Sequence, residues 1–387
     1  TIMFAVKDYV ARAGLPPKDR LDSFEARSKI VGKLNNVSKF AFNPEGVLFA
    51  VRGTELFTGA MPSNPNLDWF STAKRVGKSD WDRFKFVFFD SNGLLYAATK
   101  NGEFYKGPAP SNENVSWLYG QATKIGTDGW NDFYALFFDP KGILYAVTKD
   151  DKLVMRSPPT KANDEWLRSS TTIGNGGWRI LTHFMAFSPE FDLCYLNAQN
   201  LGWDYNQYPL LSFTIDKTIL SIVSLEFLPD SGKILSQGTE VVQSQIYVNK
   251  SSTPLKHTFS FSKTMTESST FSQQHGFTVS VGAEMSFKAG VPFIGETESK
   301  ISINMSTTHT WNFSKTNETQ TTFTSSTDVA VPGGHSIRMV ASVTKGDMDV
   351  PYCAKIRTLF GYETTIQGTW KGVTYYNLMV SQEDYKP

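Results

Sequence analysis

The sequence predicts an all-β protein in two parts, a small β-propeller followed by an elongated β module. Two observations predict it, and a third excludes a membrane-spanning helix. A unit of about 48 residues recurs through the first half, the kind of period that marks propeller blades. Alternation of apolar with polar residues pervades the second half, which is the strand period. No apolar run reaches the roughly eighteen residues that a transmembrane helix needs.

The repeat is read from three copies: VSKFAFNPEGVLFAVRGTELFTGAMP, FKFVFFDSNGLLYAATKNGEFYKGPAP and FYALFFDPKGILYAVTKDDKLVMRSPP. Their glycines Gly46, Gly93 and Gly142 lie 47 and 49 residues apart. Trp69, Trp117 and Trp166 form a second series spaced 48 and 49, and Trp81, Trp130 and Trp178 a third spaced 49 and 48. Within each copy, FFDPKGILYAV reads as strand, tight turn, strand, because Asp, Pro and Gly supply the turn geometry. The two ends of the region are half-units. IMFAVKDYVARAGLPP matches a second half, and FMAFSPEFDLCYLNA (Phe184–Ala198) matches a first half. Sharing one blade between the two ends closes the ring and leaves no free edge. Three full units and the shared one predict four blades, or five if further residues precede Thr1.

This unit resembles the tachylectin-2 family of small propeller lectins, through WDRFKFVFFDSNGLLYAA (Trp81–Ala98) and WNDFYALFFDPKGILYAV (Trp130–Val147). The resemblance covers about residues 1–200, within a domain placed at 1–205. It implies one shallow site per repeat for N-acetylated glycans of the GlcNAc or GalNAc type, near the loop that carries the third tryptophan series. Carried over, the sugar-binding candidates are Asp80, Trp81 and Asp82; Gly129, Trp130, Asn131 and Asp132; and Gly177 with Trp178. The copies diverge there, since Arg179 and Ile180 follow Trp178 and the first full unit has no such tryptophan. For each indole, packing between blades is the competing role.

The repeat ends around Asn197–Tyr208, and seven of the nine tryptophans precede Leu210. From Ser251 to Ala330 the chain is dense in Ser and Thr, yet HTFSFSKTMTESSTFS and TWNFSKTNETQTTFTSS keep the period of two. That pattern predicts long, twisted strands, not a linker. Inside this region Phe277, Val279, Val281, Ala283, Met285, Phe287 and Ala289 alternate strictly with polar residues, and Ile301, Ile303 and Met305 repeat the pattern in a second arm. Gly290, Pro292 and Gly295 predict a turn between the arms. Val291, Phe293 and Ile294 would then form an apolar tip. Each arm is long enough for the roughly 9–11 residues of a tilted membrane strand. An ordinary hairpin with its odd face on a core shows the same alternation.

The second half resembles the aerolysin-like pore-forming modules of the epsilon-toxin and mosquitocidal-toxin type, in the version found in natterin-like proteins. The residues that carry this are FSFSKTMTESSTFS, MSFKAGVPFIGE (Met285–Glu296), TWNF (Thr310–Phe313), VAVPGGHSIRMVASVTKGDMDVPYCAKI and GTWKGVTYY. The likeness begins near Ser221 within a module placed at 206–387. It implies a homo-oligomeric ring, often of seven, in which each protomer adds the 277–309 hairpin to a barrel through a lipid membrane.

Composition narrows the remaining classes. A net charge of +1 gives no bulk attraction to nucleic acid. Two cysteines, Cys194 and Cys353, cannot make a disulfide scaffold or a Cys-based zinc site. The five histidines show no ligand spacing, so no metal is expected. No nucleophile elbow, phosphate loop or dinucleotide fingerprint occurs, so neither an enzyme nor a cofactor is expected. The chain from Thr1 onward shows no signal peptide, and whether residues precede Thr1 is left open. The expectation is a soluble protein acting extracellularly on target membranes, its export route open. Sequons stand at Asn36, Asn114, Asn249, Asn304, Asn312 and Asn317, and a glycan on Asn304 would sit inside the proposed hairpin. Two functional readings follow: a carbohydrate-targeted β-pore-forming protein, and alternatively a multivalent agglutinin whose second half only oligomerises it.

Overall fold

A computed structural model of the chain describes residues 2–17, 22–179, 210–295 and 299–386. The expected half-unit Phe184–Ala198, with Cys194, His183 and the proposed boundary at 205/206, lies outside the described residues. The chain divides into two units, Thr1–Lys217 with Phe360–Tyr362, and Thr218–Leu359 with Glu363–Pro387.

Among the described residues the first unit is a propeller of four antiparallel four-stranded sheets. One blade combines β1 (Ile2–Lys7), β2 (Val10–Gly14) and β3 (Lys29–Lys33) with β16 (Leu210–Thr214). The others are β4 (Val37–Phe42) to β7 (Lys74–Gly77), β8 (Phe84–Phe89) to β11 (Thr123–Gly126), and β12 (Ala135–Phe138) to β15 (Thr171–Gly174). The repeated turn has one mechanism in three copies. Asn43, Asp90 and Asp139 each accept two backbone N–H groups through Oδ1, from Glu45 and Val47, Asn92 and Leu94, and Lys141 and Ile143, at 2.8–3.1 Å. Gly46, Gly93 and Gly142 follow at φ of 81, 81 and 82°, a region L side chains avoid. The ring closes through the two ends of the region, and the strand that does so lies beyond the expected half-unit Phe184–Ala198. The closing strand is Leu210–Thr214, paired antiparallel with β1 from Ile2↔Thr214 to Val6↔Leu210. Four apolar clusters run from blade to blade: Phe4 with Phe40 and Phe42, Phe49 with Phe89, Phe88 with Phe138, and Phe137 with Met3 and Phe213.

The second unit is built on a sheet of long strands. These are β17 (Thr218–Phe227), β18 (Lys233–Val248), β19 (Leu255–Gln273), the short β20 (Thr278–Val279), β23 (Asn317–Val331), β24 (Ser336–Thr358) and β25 (Glu363–Asp384). Their order is β20-β17-β24-β25-β19-β23, with β18 alongside β24. Burial alternates along β24 in two stretches of opposite phase. Ile337, Met339, Ala341 and Val343 enter one core, and after a bulge between Ser342 and Thr344 the phase switches to Met348, Val350, Tyr352, Ala354 and Ile356. One strand thereby serves two cores.

The hairpin departs from the expected register. Phe277–Ala289 is not one strand: pairing is confined to Thr278–Val279, resumes at Ser286, and is interrupted by a turn with Gly282 at φ 74°. The hairpin strands are β21 (Ser286–Ile294) and β22 (Ile301–Asn312). Gly290, Val291 and Pro292, expected to turn, lie inside β21. The reason is a bulge, in which the partner of Ala289 is His309 while that of Val291 is Asn304. Asn304 accepts the backbone N–H and the hydroxyl of Ser306, so its side chain competes with the ladder there. At the crossing a Cβ on Gly290 would stand 2.7 Å from the Asn304 carbonyl oxygen, so only glycine fits. Past the bulge the phase inverts, which buries Pro292 and Ile294 and exposes Phe293.

Candidate functional site

In the first unit, two clefts occupy equivalent places in successive repeats. One, of about 600 Å³, lies between the Gly129–Phe133 loop and the Asp164–Arg168 loop. Its smaller counterpart, about 240 Å³, lies between Gly77–Phe84 and Glu113–Leu118. Each is floored by one tryptophan from each series, Trp130 with Trp166 at 5.4 Å and Trp81 with Trp117 at 5.6 Å between ring centroids.

The two tryptophan series are held by different devices. Trp69, Trp117 and Trp166 donate their indole N–H to the carbonyls of Ala60, Pro108 and Ser157, nine residues earlier, at 2.7–2.8 Å. Trp81, Trp130 and Trp178 lie flat on a glycine four residues earlier. A Cβ on Gly77, Gly126 or Gly174 would fall 2.0, 2.1 or 1.9 Å from the indole nitrogen. Sequence reasoning missed these three glycines, although the recurring glycine four places before the tryptophan was there to be read. Each of these indoles follows a residue in the left-handed region: Asp80 at φ 73°, Gly129 at 82° and Gly177 at 81°.

The candidate residues separate on this geometry. Asp80, Trp81, Gly129, Trp130 and Asp132 line the clefts. Asp82 and Asn131 do not line them, and the Asn131 amide instead donates to the Lys100 carbonyl of the neighbouring loop at 2.9 Å. Gly177 donates its N–H to Asp151 at 2.8 Å, and that hydrogen bond is the first cause holding the Asp151 carboxyl below its usual range. Trp178 packs in the cluster with Phe24 and Phe213. The rings themselves are nearly used up by packing, with Trp81 3%, Trp130 5% and Trp178 5% exposed. What the larger cleft offers a ligand is therefore the half-exposed Leu167 together with polar groups at its rim. Asp128 and Asp150 stand there beside three ion-paired carboxylates, including Asp132 with Lys149 at 2.7 Å.

In the second unit, among the described residues, β21 and β22 pair only with each other. No ladder ties them to the long sheet; apolar side chains do. Phe287, Ile294, Ile301 and Trp311 pack among Met348, Val350, Ile366 and Trp370. Met285 is buried, while Phe277, Val279, Ala283, Val291 and Ile303 pack at the margin of this core. Val281 is fully exposed, and Met305 is 76% exposed. Val291, Phe293 and Ile294 do not form a tip, because the strands run on to Ile294↔Ile301. Among the described residues no three His, Cys, Asp or Glu side chains converge on a metal position. None of their helices is long and apolar enough to cross a membrane, which bears on helices alone.

A family model described as Tachylectin matches residues 6–214. A second, described as Clostridium epsilon toxin ETX/Bacillus mosquitocidal toxin MTX2, matches residues 159–379. Among solved structures, a symmetrical protein from work on de novo evolutionary emergence is 34% identical, with 46% of this chain and 76% of that one covered and a TM-score of 0.43. Lamprey immune protein is 16% identical over 77% of this chain and 90% of its own, with a TM-score of 0.34. An aerolysin-like protein of Bombina maxima is 12% identical over 43% and 99%, with a TM-score of 0.28. TM-scores this low carry no argument of their own.

Proposed function

Since the chain belongs to the Tachylectin family in its first half and to the epsilon toxin ETX/mosquitocidal toxin MTX2 family in its second, we propose that it is a carbohydrate-targeted β-pore-forming protein. The propeller clefts take N-acetylated glycans of the GlcNAc or GalNAc type on a target surface. Bound copies then assemble into a ring, seven being the expected number. Each copy contributes the 277–309 hairpin to a barrel through the lipid membrane, and the action is extracellular.

The observation that carries this reading is the independence of the β21–β22 pair. Its apolar residues are satisfied by packing and its backbone bonds are internal, so β21 and β22 can leave the long sheet without breaking a ladder, and among the described residues release of 277–309 has to part only the two-residue β20–β17 pairing. A hairpin made only to complete a core would gain from joining that ladder. In the clefts, carboxylates at the rim accept sugar hydroxyl and amide protons, and the half-exposed Leu167 offers an apolar face.

The test uses the full chain. A glycan array identifies the best N-acetylated hit, and dye leakage is then measured from liposomes with and without it. Glycan-dependent leakage is expected, together with ring particles in electron micrographs. Asp132→Ala should weaken glycan binding with a melting temperature shifted by no more than about 4 °C, because its exposed ion pair contributes at most about 1 kcal/mol to stability. Glycan binding with no leakage would leave the agglutinin reading standing.

A further inference from the structure

The end of the hairpin is seated in two glycine notches. Ile294 and Ile301 are partners at the last rung of β21 and β22, and they are 1% and 4% exposed. A Cβ built on Gly346 would stand 2.4 Å from Ile294 Cδ1, and one on Gly232 would stand 2.8 Å from Ile301 Cδ1. Gly346 lies inside the 23-residue strand β24, where glycine is unfavourable and any residue could adopt the backbone. Neither Gly346 nor Gly232 has positive φ. What these positions require is the missing side chain, as where another chain segment approaches closely.

We propose that Ile294 and Ile301 are plugs that dock in the Gly346 and Gly232 notches and latch the hairpin to the sheet until it is released for membrane insertion. The latch rests on the pore-forming reading for its purpose, but it is a property of the unbound protein. Both plugs come from the hairpin, and both notches from the body it packs on. Because, among the described residues, no ladder connects β21 and β22 to the long sheet, undocking the plugs removes a main restraint on the strands behind them.

The test is a double-mutant cycle on the full chain, read by hydrogen exchange over 286–294 and 301–312 without membranes. Gly346→Ala adds one methyl where Ile294 Cδ1 lies, and should speed exchange about tenfold. Ile294→Val removes that Cδ1 and should speed exchange less, about threefold. The double variant should match Ile294→Val alone, since the methyl then has room. Ile294→Ala adds no atom anywhere and should also speed exchange, which guards against a Gly346→Ala protein that simply folds badly. Unchanged exchange in Gly346→Ala, or acceleration that Ile294→Val does not relieve, overturns the latch. Liposome leakage of the same variants is a separate readout: hairpins that undock yet never permeabilise any vesicle would overturn the pore reading and leave the latch in place.

Discussion

Glu267 shows how one residue records a compromise between core and strand. It lies in β19 with 5% exposure, and the Thr321 hydroxyl donates to it across the β19–β23 pair. Burial pushes its carboxyl above the usual range, outweighing that hydrogen bond. The folded protein therefore holds this proton more tightly than the unfolded chain. Stability must fall as pH rises from about 4.5, the ordinary value, through the raised folded value. Glu267→Gln keeps an acceptor for Thr321 and removes the charge. Its melting temperature should exceed that of the parent at pH 8, and the gap should close toward pH 4. A gap independent of pH would show that Glu267 is not the titrating group.

At the scale of the element, the hairpin carries two patterns that use the same residues differently. In the resting fold Val281 sits on a turn and is fully exposed, while Ser280 donates its N–H to Ile219 at 2.9 Å. In a barrel strand running from Phe277 to Ala289, Val281 would face lipid and Ser280 the water-filled lumen. Arginine on the lipid face costs about 2–4 kcal/mol per copy near the midplane, and in a symmetric ring every copy carries it. Val281→Arg is thus expected to abolish leakage, and Ser280→Arg to preserve it with altered ion selectivity. Exposure of Val281 means that its arginine variant should melt like the parent, and differential scanning fluorimetry checks this first. Equal leakage from both variants would remove the membrane assignment of this alternation.

For the whole molecule, the decisive feature of the propeller is where its ring closes. β16 supplies the strand that covers β1, whose residues Ile2 to Val6 are at most 2% exposed. Leu211 and Phe213 are buried with it, each contributing about 1.5–3 kcal/mol. A fragment ending at residue 205 lacks this strand and leaves β1 as an open edge. It should melt well below a fragment ending at Lys217, or aggregate, in a thermal denaturation followed by circular dichroism. Equal melting of the two fragments would place the closing strand elsewhere.

The sequence by itself determined the features that recur or alternate. Four blades, their turns and their tryptophan series were legible because each copy solves the same local problem with the same residues, as Asn43, Asp90 and Asp139 do. The long strands of the second unit were legible because Ile337 to Ile356 keep a period of two that a single bulge only shifts. What the tertiary structure alone decided were matters of partnership between distant residues. Nothing near Leu210 announces that it will cover β1, since strand pairing depends on both partners. The alternation of Phe277–Ala289 did not show that Asn304 and Gly290 would bend the pair and carry the strand through Val291 and Pro292. Nor could spacing show that Trp81 and Trp130 would be nearly consumed by packing, or that Gly346 would receive Ile294. Local chemistry sets periods and turns, whereas burial is a property of two surfaces and is settled only when they meet.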